Sequence, residues 1–154
     1  MRSSTHRKAA RFRWVGAAKG RWLERYSEVF DTVEVNATFY RLPTVKAVQG
    51  WVDQTPDDFL FAIKAPRFIT HILRLREVET PFANFLASGL LRLDAKLGPI
   101  LWQLPPRMRF DADALRAAYH DTIVRLEQLL GLEHHELEQL WTDRSITVVF
   151  VTHN

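Results

Sequence analysis

The sequence predicts an α/β protein with a mainly parallel sheet, and three observations indicate this class. Predicted strands and helices alternate along the chain, in the order β–α–β–α–β–α–α–β after a first helix. The strand-like segments 59–63, 100–104 and 146–151 are almost entirely apolar, as expected for parallel strands that are covered on both faces. Helical segments separate these strands, and parallel strands need such long crossover connections.

The first half of the chain begins with a helix. Apolar residues recur at helical spacing over residues 21–30. Residues 32–40 are rich in β-branched and aromatic side chains and predict the first strand. Thr44 is a suitable N-cap for a helix that ends before the turn at residues 55–58, and residues 59–63 form the second strand.

The second half continues the alternation. Residues 66–79 have a mixed pattern and predict a loop, and a helix follows over residues 80–95 with an interruption near Gly89. Residues 96–99 end that helix, and Pro105-Pro106 stops the strand at residues 100–104. Three further elements complete the chain: a long helix that starts at Asp111 or Asp113 and runs to about Leu130, a short helix over residues 133–141, and a strand over residues 146–151.

Composition limits the class of protein. The 154 residues suffice for one domain, and 47% apolar with 25% charged residues is ordinary for a soluble protein. The absence of cysteine excludes disulfides, thiolate nucleophiles and cysteine-based zinc sites. No apolar run approaches the length of a membrane span, and the N-terminus lacks the apolar core of a secretory signal. We therefore expect a cytoplasmic protein that does not bind membranes.

The net charge of +3 is concentrated at the N-terminus. Residues 1–25 hold eight Lys and Arg against one acid, whereas the remainder holds thirteen against seventeen. A basic arm of this kind can bind nucleic acid through phosphates. The alternative is a solvated, poorly ordered leader, and residues 1–20 are predicted to be such an arm in either case.

Three segments of the chain resemble a known family. DTVEVNATFYRLP, KAPRFITH and KLGPILWQLPP resemble, in order and spacing, the YecE-like family, also called domain of unknown function 72. The resemblance covers about residues 21–113. It implies a TIM (β/α)8 barrel fold and no established activity, so it points to a fold rather than a function.

Both ends of the chain depart from the family pattern, and a full barrel needs about 250 residues. We therefore expect a partial TIM (β/α)8-type barrel. Residues 21–113 would form the half-barrel, and residues 114–154 a helical extension with a final strand. The unpartnered strand edges of such a half-barrel predict self-association.

Polar side chains follow the ends of two predicted strands, and carboxyl ends of parallel strands meet at one edge of a sheet. We predict catalytic roles there for Glu34, Lys64 and His71. The predicted substrate contacts are four further side chains near the same edge: Asn36, Tyr40, Arg67 and Gln103. No metal site is predicted, since the chain contains no HExxH pattern, and the cofactor is unknown.

Each of these residues has an alternative role. A carboxylate within an apolar strand is costly unless paired, so Glu34 is expected to contact Lys64 or Arg67. That pair would act as a general acid/base or anion-binding group, or else as a structural ion pair in the barrel interior. His71 could be a base, a metal ligand or a surface side chain, and Gln103 could contact substrate or satisfy the backbone.

The first functional hypothesis is a small-molecule enzyme or binder, hydrolase- or lyase-like, with its site at the carboxyl ends of the strands. By analogy with TIM barrels, its ligand would be polar or anionic, such as a phosphate- or sugar-containing metabolite. The alternatives are a nucleic-acid-associated protein that uses the basic arm, and a truncated, nonfunctional remnant. Neither the reaction nor the substrate follows from the sequence.

Overall fold

The computed structural model describes residues 20–106 continuously. Beyond them it describes isolated positions (108, 111, 113, 120, 124 and 128) and the backbone of residues 148–151. The predicted N-terminal arm lies outside the described residues except for Gly20. Most of the helix predicted after Asp111 and all of the helix predicted over residues 133–141 also lie outside them.

The described strands form one parallel sheet. Its four strands are β1 (Thr32–Val35), β2 (Leu60–Lys64), β3 (Leu97–Gln103) and β4 (Val148–Val151). They lie in the order β1-β2-β3-β4, and each neighbouring pair is parallel. The predicted α/β class and the predicted parallel pairing are therefore confirmed, and the carboxyl ends of all four strands meet at one edge.

Helices occupy the connections between the strands. The α-helices are α1 (Trp22–Ser27), α2 (Val45–Asp53) and α3 (Glu79–Ala87). The predicted cap of α2 is confirmed, since the Thr44 hydroxyl accepts the Ala47 N–H at 3.2 Å. No helix within the described part of the chain is both long and apolar enough to cross a bilayer.

Two helical segments were not predicted, and the end of a predicted helix has 3₁₀ geometry. Asn36–Phe39 form a 3₁₀-helix and Phe68–Ile72 form a wider π-helix. Leu90–Lys96, at the end of the helix predicted over residues 80–95, has 3₁₀ geometry that is broken at Asp94, where φ is +51°. The first strand therefore ends at Val35 instead of continuing to Tyr40. The segment 66–79, predicted as a loop, contains the π-helix, which ends where the Leu73 N–H donates to the Phe68 carbonyl at 2.9 Å.

The helix predicted over residues 80–95 is interrupted at Gly89, as expected. Gly89 has a φ of +113°, a left-handed conformation that favours glycine. A Cβ atom there would also lie 3.0 Å from the Cα of Val45, at the start of α2. Gly89 therefore permits both the turn out of α3 and the close approach of two backbones.

The hydrophobic core lies between the sheet and the helices. The side chains of Phe61 and Trp102 are buried on one face of the sheet. Trp51 of α2 stacks on Phe61 with ring centroids 6.0 Å apart, and Phe82 of α3 meets Trp102 edge to face at 5.0 Å. These aromatic contacts join α2 and α3 to the same face of the sheet.

The opposite face of the sheet is not covered in the same way. Alternation along the strands puts Glu34, Leu60, Lys64 and Gln103 on this face, where the first two are exposed and the last two are half-buried. The expectation of a strand covered on both faces is therefore wrong for β2, where Leu60 is exposed. A sheet whose parallel strands follow in sequence order has this form, because right-handed connections put all its helices on one face.

Strand β3 begins three residues earlier than predicted. Phe61 is opposite Leu97 and Ile63 is opposite Ile100, so β3 has one extra residue at Gly98-Pro99. A bulge tolerates proline, which cannot donate to a regular ladder. A Cβ on Gly98 would also lie 3.0 Å from the Phe61 carbonyl oxygen. The Gly98-Pro99 pair, predicted to end a helix, thus lies inside a strand.

Candidate functional site

The carboxyl ends of β1 and β2 are joined by one buried hydroxyl. Thr38, in the 3₁₀ turn after β1, is only 1% exposed. Its Oγ1 lies 2.8 Å from the Val35 carbonyl oxygen and 2.7 Å from the Lys64 carbonyl oxygen, so its single hydrogen is shared between two strand ends. This contact fixes the backbone that carries Asn36 relative to the backbone that carries Lys64.

The Lys64 ammonium lies above this junction. Its Nζ donates to Asn36 Oδ1 at 3.2 Å and lies 4.9 Å from the centre of the Phe39 ring. Both contacts orient the cation, the second as a cation–π interaction. Among the residues that the structure describes, no carboxylate forms an ion pair with Lys64. The cation is thus positioned without being neutralised.

His71 approaches the same phenyl ring from the π-helix. Its ring meets Phe39 edge to face with centroids 5.3 Å apart, and its Nδ1 lies 2.8 Å from Thr70 Oγ1. Burial lowers the pKa of His71, and the positive charges of Arg67 and Lys64 lower it further. The lowered pKa favours the neutral form of the His71 imidazole.

Glu34 does not form the predicted ion pair. It is exposed in the middle of β1, opposite Ala62, and the one ion pair found among the described residues joins Arg21 to Glu24. The expected pairing with Lys64 or Arg67 is wrong, because an exposed carboxylate stays hydrated and needs no partner. From strand spacing and rise, the Cα atoms of Glu34 and Lys64 are roughly 8 Å apart on one face of the sheet.

Gln103 is the last residue of β3 and lies on that same face, half-buried. Lys64 is opposite Leu101, so Gln103 is two residues beyond it toward the carboxyl edge. The backbone thus brings Gln103 to the predicted edge of the sheet.

Tyr40 and Arg67 lie in a groove beside this cluster. Its volume is about 350 Å³, and its walls come from the turn after β1, the start of the π-helix and α3. The lining residues are Phe39, Tyr40, Arg41, Leu42, Pro66, Arg67, Phe68, Ile69, Thr80, Pro81 and Asn84. The seven predicted site residues therefore divide into three groups. In the first group, Lys64 and His71 contact the Phe39 ring, and Asn36 accepts a hydrogen bond from Lys64. In the second, Tyr40 and Arg67 line the groove. In the third, Glu34 and Gln103 lie on the open face of the sheet.

Sequence reasoning missed the role of two aromatic residues. Phe39 and Phe68 are not among the predicted site residues, yet Phe68 is 50% exposed and both line the groove. A usable signal was present, since an aromatic residue adjoins an arginine after each of two successive strands, as Tyr40-Arg41 and as Arg67-Phe68.

Within residues 20–106 and the isolated positions described beyond them, no three His, Asp or Glu side chains lie close enough together to hold a metal ion.

The fold and this edge of polar groups define a parallel α/β protein with a candidate site at the carboxyl ends of its strands. The family model described as "Protein of unknown function DUF72" matches residues 6–144, so the chain belongs to that family. The match extends beyond residues 21–113 in both directions. Membership assigns no specific activity.

Relatives and solved structures agree with this membership. The chain is 37% identical over 98 residues to the UPF0759 protein YecE of Escherichia coli K12, covering 64% of this chain and 35% of that protein. It is 33% identical over 102 residues to the UPF0759 protein YunF of Bacillus subtilis, covering 63% and 36%. The chain thus spans about a third of the length of these curated relatives.

Two crystal structures of DUF72 family proteins share the fold. The protein from Enterococcus faecalis V583 superposes with a TM-score of 0.55 at 17% identity, over 82% of this chain and 57% of that one. The protein from Thermotoga maritima MSB8 gives a TM-score of 0.52 at 23% identity, over 86% and 55%.

Proposed function

We propose that this chain binds a small anionic ligand at the carboxyl edge of the sheet, between the ends of β1 and β2. The observation that carries the proposal is the Lys64 ammonium, oriented by Asn36 and Phe39 and not paired with a carboxylate among the described residues. Arg67 adds a second positive charge close enough to lower the pKa of His71. Two cations around a neutral imidazole favour a phosphate or a carboxylate.

In this proposal His71 is the proton-transfer group of a small-molecule enzyme. Its Nδ1 contacts Thr70, and its Nε2 has no hydrogen bond to the residues that the structure describes. In the tautomer whose Nδ1–H donates to Thr70 Oγ1, while the Thr70 hydroxyl donates to the Pro66 carbonyl at 3.5 Å, Nε2 can accept a proton from a bound hydroxyl or water. Glu34 would be a second acid or base on the same side of the sheet, with Asn36 and Gln103 as substrate contacts.

We further propose that the sheet belongs to the wall of a TIM (β/α)8-type barrel. Support comes from four parallel strands in sequence order and from aromatic contacts that join α2 and α3 to one face. A doubly wound sheet would reverse its strand order and carry helices on both faces. The open face with Glu34, Lys64 and Gln103 would then face the barrel interior, and the carboxyl edge is where barrel enzymes bind substrates.

The test is a titration of the full chain with inorganic phosphate, in which the NMR shifts of the His71 ring report binding. We expect saturable binding that Lys64→Ala weakens by about tenfold or more, since hydrogen bonds to charged groups contribute about 1.5–3 kcal/mol. Lys46→Ala is the matched control, because Lys46 is an exposed lysine in the first turn of α2. Equal weakening by both variants, or no saturable binding, would refute the proposal.

A further inference from the structure

The groove adjoins the proposed anion site through one shared side chain. Phe39 lines the groove, and the same ring contacts Lys64 Nζ at 4.9 Å and the His71 ring at 5.3 Å. Arg67 also belongs to both regions, since it lines the groove and its charge lowers the pKa of His71. A ligand with its anionic group at Lys64 can therefore extend its remaining atoms into the groove.

The groove combines exposed aromatic rings with positive charge. Tyr40 is 71% exposed and Phe68 is 50% exposed, so both rings present apolar surface to a ligand. Arg41 and Arg67 are exposed as well, and no acidic residue is found among the described residues that line the groove. Exposed aromatic rings favour a planar partner, and unpaired guanidinium groups favour an anion.

The size of the groove is compatible with a small molecule. A volume of about 350 Å³ falls within the range of small-ligand pockets, roughly 300–1,000 Å³. Small-ligand sites are mostly apolar with a few polar groups. In this groove Pro66, Pro81 and the aromatic rings provide the apolar surface, and Asn84 provides a polar amide.

We infer that the groove binds the aromatic ring of a ligand whose anionic group lies at Lys64 and Arg67, so that the substrate class is an aromatic phosphate or carboxylate. The inference rests on the proposed function, because it uses the same anion site. The inference adds that the ligand must carry an aromatic ring. An anion site formed by Lys64, Asn36 and His71 alone would not require such a ring.

The experiment compares two matched pairs of probes on the full chain: phenyl phosphate against inorganic phosphate, and benzoate against acetate. In at least one pair, we expect the aromatic probe to bind about tenfold more tightly, as ring burial and an aromatic contact would give. Phe68→Ala should remove that advantage and leave the affinity for the small anion unchanged. Ile72→Ala is the control, because Ile72 lies in the same π-helix, is 59% exposed and does not line the groove.

The outcomes separate the two proposals. If the small anions bind and neither aromatic probe gains affinity, the groove inference is wrong and the anion site stands. If no probe binds, both are wrong. If the gain persists in Phe68→Ala, or disappears equally in Ile72→Ala, the ring lies elsewhere and the inference is overturned. Tyr40→Ala provides a second groove variant, because a residue that is 71% exposed can be truncated without opening the core.

Discussion

Replacement of Lys96 by methionine should destabilise the fold through the end of α2. Lys96 is 6% exposed, at the end of the 3₁₀ segment before β3. Its Nζ donates to the Val52 carbonyl at 2.9 Å, to the Thr55 carbonyl at 2.8 Å and to the Thr55 hydroxyl at 3.3 Å. The lysine thus supplies donors and a positive charge to the C-terminal end of α2, where free carbonyls and the helix dipole favour a cation.

The size of the destabilisation depends on which hydrogen bonds the Val52 and Thr55 carbonyls keep when Lys96 is replaced. The Val52 carbonyl also accepts the Thr55 N–H at 3.4 Å, whereas the Thr55 carbonyl has only Lys96 as a partner among the described contacts. Thr55 is half-buried, so its carbonyl without a partner should cost toward the lower end of about 1–3 kcal/mol, and loss of the charge at a helix end costs about 0.3–1 kcal/mol. Methionine keeps most of the side-chain volume, so the packing term is small. The expected loss is about 2 kcal/mol.

Urea unfolding followed by tryptophan fluorescence would measure this loss. With a slope of about 2 kcal/mol per molar for a small domain, a loss of 2 kcal/mol lowers the midpoint by about 1 M. Lys46→Met is the control and should leave the midpoint within about 0.25 M, since exposed substitutions change stability little. A Lys96→Met midpoint as high as that of the control would contradict the assignment of the carbonyl contacts.

Two further predictions concern the site. Thr38→Val removes the hydroxyl between two strand ends, so it should lower the free energy of unfolding by about 1–2 kcal/mol and weaken phosphate binding; unchanged binding would mean that Thr38 does not position Lys64. The pKa of His71, measured by NMR, should lie below its ordinary value and rise in Lys64→Ala. Because the pKa of His71 is lower in the folded chain, the unfolded chain binds the proton more readily. The contribution of His71 to stability is therefore present above about pH 6.5 and is lost on acidification. His71→Gln should flatten this pH dependence of stability, and a His71 pKa above about 6.5 in the folded chain would refute the prediction.

The existence of the strands could be predicted from the sequence, because an apolar run is a local pattern. The first and last residues of each strand could not be predicted, because they depend on pairing with the neighbouring strand. Gly98 and Pro99 favour a helix end or turn when considered alone, and they fit inside β3 because the extra residue forms a bulge opposite β2. The π-helix could not be predicted either, because the segment that contains it has no regular apolar period. Its defining hydrogen bond, from the Leu73 N–H to the Phe68 carbonyl, leaves no signal in the sequence.

The sequence predicted which edge of the sheet carries the polar side chains, but it did not predict which of those side chains contact each other. Lys64 and Asn36 follow neighbouring parallel strands, so topology alone brings them together at one edge. The predicted partner of Glu34 is wrong, because a buried carboxylate would need an ion pair and Glu34 lies on a face that is exposed in β1. Whether a side chain in a strand faces helices or open space depends on the whole sheet, and alternation gives only which residues share a face.

The charge distribution at the carboxyl edge supports a ligand site more than a structural role. A structural lysine is usually neutralised or uses its donors on backbone carbonyls, as Lys96 does at the end of α2. Lys64 instead donates to one amide oxygen and lies over one ring, with Arg67 close enough to act on His71. Clustered like charges oppose folding, and a bound anion removes that repulsion. Phosphate should therefore raise the stability of the folded chain, and it should do so less in Lys64→Ala than in the Lys46→Ala control.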